Sequence, residues 1–328
     1  MSLSSANSSL SQVISKPTWC NFDLTPASAP AHRQRLVLFG RVIGDDELTI
    51  IQQAYAKAGI SLGLVARFAV DESLPEALAC VPVDAFMSIN QELRSKVRKV
   101  AKQYSLQAVL IDNPPTILQP GLLVMDMDST AITIECIDEI ARLANVYDEV
   151  AAVTKAAMAG QLAFSESLYQ RVAKLKGIEL SLLDTIRFDL PLMPGITELC
   201  ARLKQHGWRL AIASGGFTLF AEQLREVLQL DDVVANELEF DGSELSGRVL
   251  GAVVDAEKKR ETLAALRTKY AIPNGQTVAM GDGANDLLMM AEAALGVAVH
   301  GKEKVVTEAD AAICHGSLTQ LLYLLSTP

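Results

Sequence analysis

Apolar and polar positions change their rhythm once along the chain, near residue 115, and the two rhythms predict different folds. Before that point, Arg35 to Ile43, Ser61 to Val70, Cys80 to Ile89 and Gln107 to Ile111 read as strands. Asp45 to Ala58 has helical spacing, opens on acidic residues and closes at Gly59. Asn90 can cap a second helix running to about Tyr104. The order β-α-β-β-α-β is that of a split β-α-β unit, so a small α+β ferredoxin-like domain is expected over 33–112. Residues 1–32, Ser-rich and broken by Pro26 and Pro30, read as a flexible leader. The stretch 113–120, from Asn113-Pro114-Pro115 to Pro120, reads as a linker at a domain boundary.

From 121 onward, short continuous apolar runs alternate with helical patterns. Leu122 to Met125 ends at Asp126, Arg209 to Ala213 at Ser214 and Thr277 to Met280 at Gly281-Asp282, while Gly296 to Val299 precedes His300. Helical spacing follows at Leu219 to Leu228, Asn285 to Ala294 and Ser317 to Leu325. Apolar strands joined by helices predict an α/β domain over 121–328, a Rossmann-like parallel sheet covered on both faces. Such sheets bind ligands beyond the carboxyl ends of their strands. The stretch between the first two strands is far longer than one crossover needs. Ala131 to Asn145, Tyr147 to Ala159, Ser165 to Lys176 and Ser181 to Arg187 all look helical, which predicts an inserted α-helical cap over about 131–193.

Composition narrows the setting. The 328 residues are 50% hydrophobic and 21% charged, enough apolar content for two domains. Mean hydropathy is +0.23, yet no apolar run reaches the length of a membrane span. The N-terminus lacks a basic start followed by an apolar stretch, so a cytoplasmic protein is expected. Five widely spaced cysteines without a C-x-x-C argue against a disulfide framework and a zinc site. A net charge of −10 argues against nucleic acid as a partner. That charge is uneven: residues 1–120 carry 11 basic against 10 acidic residues, whereas 121–328 carry 18 against 29. Most of this excess reads as solvated surface, and part of it as a carboxylate cluster serving a cation.

The carboxylates at the strand ends favour the cluster. Asp126 and Asp128, two residues apart beyond a buried strand, repel each other unless a cation lies between them or one holds a proton. Mg²⁺ takes such oxygen ligands together with substrate phosphate. Ser214-Gly215-Gly216 offers a hydroxyl and a close backbone approach to an anion. Gly281-Asp282-Gly283-Ala284-Asn285-Asp286 adds two carboxylates and an amide, and Lys258 and Lys259 lie near the start of the preceding helix. This order of groups calls for an anion and a divalent cation in one pocket. His32, His206, His300 and His315 fall outside these motifs, so Ser129 and Thr130 lack a nearby base. A carboxylate nucleophile needs none and suits phosphoryl transfer.

D-M-D-S-T (126–130), S-G-G-F-T (214–218), Lys259 and G-D-G-A-N-D-L (281–287) resemble, in order and spacing, the four motifs of the haloacid dehalogenase superfamily. The resemblance covers about 121–328 and extends to Glu135–Ala141, Phe164–Val172 and Met193–Ile196. Residues 33–112 resemble an ACT-type domain by element order and position, which suggests a possible homodimer paired through its sheets. The resemblance implies Mg²⁺-dependent hydrolysis of the small-molecule substrate O-phospho-L-serine, the last step of L-serine biosynthesis. It assigns Asp126 as nucleophile and metal ligand, Asp128 as general acid/base with its backbone carbonyl on the metal, and Asp282 as third metal ligand. Asp286 would support the metal shell or Lys259, and Ser214, Gly215, Lys259 and Asn285 would hold the phosphoryl group. Glu135 and Arg171 would pair with the substrate ammonium and carboxylate. Counting back from Leu263 selects Lys259 over Lys258, and Met158 is a candidate to pack over the substrate from the cap. Two alternatives stand beside this reading. One is action on another small phosphomonoester, or phosphotransfer; substrates lacking both an ammonium and a carboxylate would leave Glu135 and Arg171 unpaired. A receiver-like phospho-aspartate signalling protein would not place an acid two residues after its nucleophile.

Overall fold

The computed structural model describes residues 18–31, 33–84 and 87–328, arranged around a four-stranded and a seven-stranded sheet. The first comprises β1 (Arg35–Phe39), α1 (Asp45–Lys57), β2 (Leu62–Phe68), β3 (Ala77–Pro82), α2 (Gln91–Lys102) and β4 (Gln107–Ile111). Its strands run antiparallel in the order β2-β3-β1-β4, the expected split β-α-β topology. Local chemistry sets the helix starts. Glu47 accepts the Gly44 N–H, and the Asn90 side chain accepts the Leu93 N–H, a cap of about 1 kcal/mol.

Both faces of this sheet are covered. Leu36 and Leu38 of β1 pack with α1 and α2 residues such as Leu48, Ile51 and Val97, while Val37 and Phe39 join the core of the following body. Alternate residues of one strand thus belong to two cores, which explains why β1 reads as continuously apolar. The strand expected over Cys80 to Ile89 lies earlier, at Ala77–Pro82, and residues 85 and 86 are outside the described residues. Of the expected flexible leader, 1–17 and 32 are likewise outside them. Its described part is not a free tail: Cys20 pairs with Val65 on β2, and Trp19 and Phe22 are buried. Two aromatic side chains gain more from burial than from water, and this docks the strand beside the sheet. The expected linker is also held, with the Ile117 N–H donating to the Leu325 carbonyl at 2.9 Å.

The second body starts with β5 (Leu122–Met125) and a helical insertion, α3 (Cys136–Leu143), α4 (Tyr147–Met158), α5 (Phe164–Ala173) and α6 (Leu180–Arg187). It continues through α7 (Ile196–Gln205), β6 (Arg209–Phe217), α8 (Thr218–Leu228), β7 (Asp232–Asp241), β8 (Glu244–Leu250) and α9 (Ala256–Lys269). Then come β9 (Thr277–Gly281), α10 (Leu287–Glu292), β10 (Leu295–Val299), α11 (Glu303–Glu308), β11 (Ala311–Ile313) and α12 (Leu321–Leu325). The sheet order is β11-β10-β9-β5-β6-β7-β8, parallel from β11 to β7. β5 is central, flanked by β6 and β9, so the ends of these three neighbouring strands meet at one edge.

Two parts of this body depart from expectation. β7 and β8 form an antiparallel hairpin that extends the parallel sheet. The helix expected from Ala131 begins only at Cys136, because the N–H groups of Thr130, Ala131 and Ile132 turn back to the Met127 carbonyl and Ile132 pairs with Leu192. This turn leaves Glu135 at the N-cap position of α3.

Candidate active site

Asp126 follows the last residue of β5 and is buried. Its Oδ1 accepts the Met127 N–H at 2.7 Å and its Oδ2 lies 2.7 Å from the Lys259 ammonium. Lys259, fully buried on the first turns of α9, also donates to Asp286 Oδ1 at 2.7 Å. Burial opposes its charge, but the two carboxylates outweigh that effect and hold its pKa above the usual lysine value. Its neighbour Lys258 instead reaches Glu261 on the exposed face of α9. The sequence ambiguity between the two lysines therefore has a geometric answer.

Carboxylate oxygens of Asp126, Asp282 and Asp286 lie within 4.8 Å of one another. Asp286 is the most constrained, since its second oxygen accepts the Gly283 N–H at 3.0 Å. Glycine is required at 281 because a Cβ there would come within 2.3 Å of the Asp286 carboxylate. Burial, with Asp126 close by, pushes the Asp282 carboxyl up to about 6 and raises Asp286 as well. Three acids crowded around one lysine, all with hard oxygen donors, fit a small divalent cation. The Asp128 side chain is not in this group. It is buried near Glu135 and Asp126, which together raise its pKa well above the ordinary carboxylate range, burial being the largest cause. Its Oδ1 has no hydrogen-bond partner within the protein.

These residues open onto a cavity of about 530 Å³. Its walls include Asp126, Asp128 and Asp282, the end of β6 from Ser214 to Phe217, Asn285, and from the cap Glu135, Met158, Phe164 and Arg171. Ser214 Oγ accepts the Gly216 N–H at 3.0 Å, which leaves its own hydrogen available to an anion. A Cβ on Gly215 would come within 2.8 Å of the Phe164 ring, so a glycine here lets the cap lie directly on the loop. Glu135 Oε1 accepts from Ser129 Oγ at 2.8 Å, and the Ser129 backbone is left-handed at φ 54°. Arg171 donates only a long bond to the Ser167 carbonyl, 3.4 Å. Burial raises the Glu135 pKa and lowers that of Arg171. Among the described residues the two form no ion pair, with each other or elsewhere, so both face the cavity. Met158, mostly exposed, lines it from the end of α4.

Of the residues the resemblance assigned to the site, all lie at this cavity or, for Lys259 and Asp286, directly behind it, whereas Lys258 faces away on α9. Sequence reasoning missed Asn236, Phe164 as a wall, and Lys302 and Lys304 at the rim. Asn236 is buried on β7; its amide donates to the Gly215 carbonyl at 2.8 Å and accepts the Val254 N–H at 2.9 Å. It thereby fixes the irregular carboxyl-terminal end of β6, where the pairing with β7 shifts register between Ala213 and Phe217. No motif marks it, because its partners are backbone groups far away in sequence.

The family model of the haloacid dehalogenase-like hydrolases matches residues 123–291, more than half of the chain, and the chain belongs to that family. It is 49% identical over 235 residues to the phosphoserine phosphatase of Vibrio cholerae serotype O1, with 72% of each chain covered. It is also 51% identical over 216 residues to the phosphoserine phosphatase of Haemophilus influenzae, covering 66% of this chain and 69% of that one. Within the family the chain therefore stands among the phosphoserine phosphatases. The unliganded crystal structure of the probable phosphoserine phosphatase from Vibrio cholerae superposes with a TM-score of 0.72 at 40% identity, covering 89% of this chain and 86% of that one. A phospho-aspartyl intermediate analogue of phosphoserine phosphatase matches 62% of this chain and 98% of its own, with TM-score 0.59 and 36% identity.

Proposed function

We propose that the chain hydrolyses O-phospho-L-serine to L-serine and phosphate with Mg²⁺, through an aspartyl-phosphate on Asp126, as the last step of L-serine biosynthesis. The observation that carries the substrate is the placement of Glu135 and Arg171, two opposite charges unpaired with each other, on the cap wall facing Asp126. A substrate with both an ammonium and a carboxylate satisfies both; one lacking either leaves a desolvated charge.

The chemistry follows from the environments described. The Asp126 carboxylate, held beside Lys259, attacks phosphorus, and the bond from phosphorus to the serine oxygen breaks. Asp128, whose surroundings keep its proton on, donates that proton to the leaving oxygen. It then takes a proton from the water that cleaves the acyl phosphate, regenerating Asp126. Ser214, Gly215, Lys259 and Asn285 hold the phosphoryl oxygens, where positioning and charge neutralisation supply most of the rate. Asp126, the Asp128 backbone carbonyl and Asp282 would hold Mg²⁺, which when bound neutralises phosphoryl charge. Asp286 positions Lys259. The phospho-aspartyl analogue among the structural relatives supports the covalent step.

Five free cysteines and the absence, among the described residues, of any helix long and apolar enough to cross a membrane accord with action in the cytoplasm. A homodimer paired through the front sheet would use the part of β2 beyond the Cys20 bridge at Val65, because β4 lies against β11. The test of the function is phosphate release from phosphoserine, phosphothreonine, phosphoethanolamine and sugar phosphates, with Mg²⁺ or EDTA. Phosphoserine is expected to lead the panel and EDTA to abolish turnover; equal rates on sugar phosphates would remove the substrate assignment.

A further inference from the structure

The cavity has a second set of cations. Its lining carries four carboxylates, Asp126, Asp128, Glu135 and Asp282, against Arg171, Lys302 and Lys304. Lys259 does not line the cavity itself; from behind the wall its ammonium offsets Asp126 and Asp286. A phosphomonoester dianion thus approaches an opening lined by acidic as well as basic side chains, and unpaired cations on that lining favour its entry.

Lys302 and Lys304 stand there. Both are exposed, both line the cavity, and among the described residues neither forms an ion pair or a side-chain hydrogen bond. They lie on the segment that leaves β10, outside the cap insertion. Close packing holds that segment to the catalytic carboxylates: a Cβ on Gly301 would come within 3.0 Å of the Asp282 carbonyl, and Val305, buried, also lines the cavity. The lysines do nothing for the helix they begin, because cations are unfavourable in a first helical turn.

We propose that Lys302 and Lys304 are positioning residues that draw the phosphate dianion into the cavity before the phosphoryl group reaches Ser214 and Asp126. This rests on the phosphatase reading above. The two lysines raise the rate of productive encounter and leave the bond-breaking step to the groups inside. Their effect is Coulombic and exposed, so it fades as salt shortens the screening length to about 10 Å near 0.1 M.

The test compares the wild type, Lys302→Gln/Lys304→Gln, the charge reversal Lys302→Glu, and Lys57→Gln on the exposed end of α1 as a control, each assayed over a range of NaCl. The double variant is expected to lose about tenfold in kcat/KM at low salt, with kcat within about twofold and the difference closing as salt rises. The reversal should lose more, and the control should follow the wild type. Equal kcat/KM and equal salt slopes in wild type and double variant would overturn the proposal, and so would a fall in kcat with KM unchanged. Calorimetric binding of inorganic phosphate in Mg²⁺ gives a readout independent of the substrate. A wild type that binds phosphate but does not hydrolyse phosphoserine contradicts the substrate reading alone. Unchanged phosphate affinity and salt slope in the double variant contradict the role of the lysines.

Discussion

Burial raises the pKa of both Asp282 and Asp128, but only Asp282 belongs to the group that can hold a cation, and this difference in place predicts different behaviour. Asp282 belongs to the crowded acidic group, where burial and Asp126 raise its pKa to about 6. A cation binding there must displace the proton held below that pH. Mg²⁺ affinity, measured by calorimetry or by activation of turnover, should therefore fall as pH drops through about 6 and level off above it; affinity constant from pH 5 to 8 would contradict the assignment of Asp282 as a ligand. Asp128 lies outside that group and takes its raised pKa from burial and Glu135. Selectivity is also decided by single residues. Arg171→Ala should raise KM for phosphoserine by about 10- to 100-fold, the worth of one charged hydrogen bond of about 1.5–3 kcal/mol, and should barely affect phosphoethanolamine, which has no carboxylate. A parallel loss on both substrates would show Arg171 to be structural.

At the scale of elements, the site depends on how the β6 loop and the cap are braced. Asn236 on β7 satisfies the Gly215 carbonyl and the Val254 N–H together. Asn236→Leu should cost about 2 kcal/mol or more in chemical denaturation, because two backbone groups lose their partner, and should lower kcat through a displaced Ser214 loop. Stability and kcat equal to wild type would remove that role. The β7–β8 hairpin also supports the cap: the Leu245 carbonyl accepts the Gly177 N–H at 2.8 Å, and the Leu245 N–H donates to Ile178 at 2.9 Å. The hairpin was absent from the sequence reading although Asp241-Gly242 carries the turn signal, with Gly242 at φ 64°. The four acids, the Ser-Gly-Gly turn and the buried lysine were legible because strand ends impose their spacing on local motifs. Asn236, Phe164 and the rim lysines were not, since their importance comes from contacts made only when distant segments meet. Glu135 was singled out from the sequence, but its place at a helix cap depends on the turn around the Met127 carbonyl, which no local pattern announced.

Across the whole molecule, the two sheets are joined more tightly than a linker and two domains would suggest. Tyr323 of α12 stacks near Phe39 and Phe68, at 5.4 and 6.0 Å between ring centroids. Gln107 on β4 donates to Gln320 at 2.7 Å and accepts the Cys314 N–H at 2.7 Å. One apolar core runs from Val37, Phe39 and Val109 through Ile117 into Leu123 and Leu321. The chain should accordingly unfold in a single thermal transition, and a fragment of residues 113–328 should melt lower or aggregate, since the removal exposes that apolar face. Two well-separated calorimetric transitions would show that the front sheet is an independent unit.

The central claim is that phosphate passes through a covalent bond to Asp126. Wild-type enzyme mixed with ³²P-labelled phosphoserine and Mg²⁺, quenched in acid within one turnover and digested, should yield a hydroxylamine-labile label on the peptide containing Asp126. Asp126→Asn should yield none and lose ~10³-fold or more in turnover. Rapid turnover without any trapped label, or label on another residue, would contradict the account.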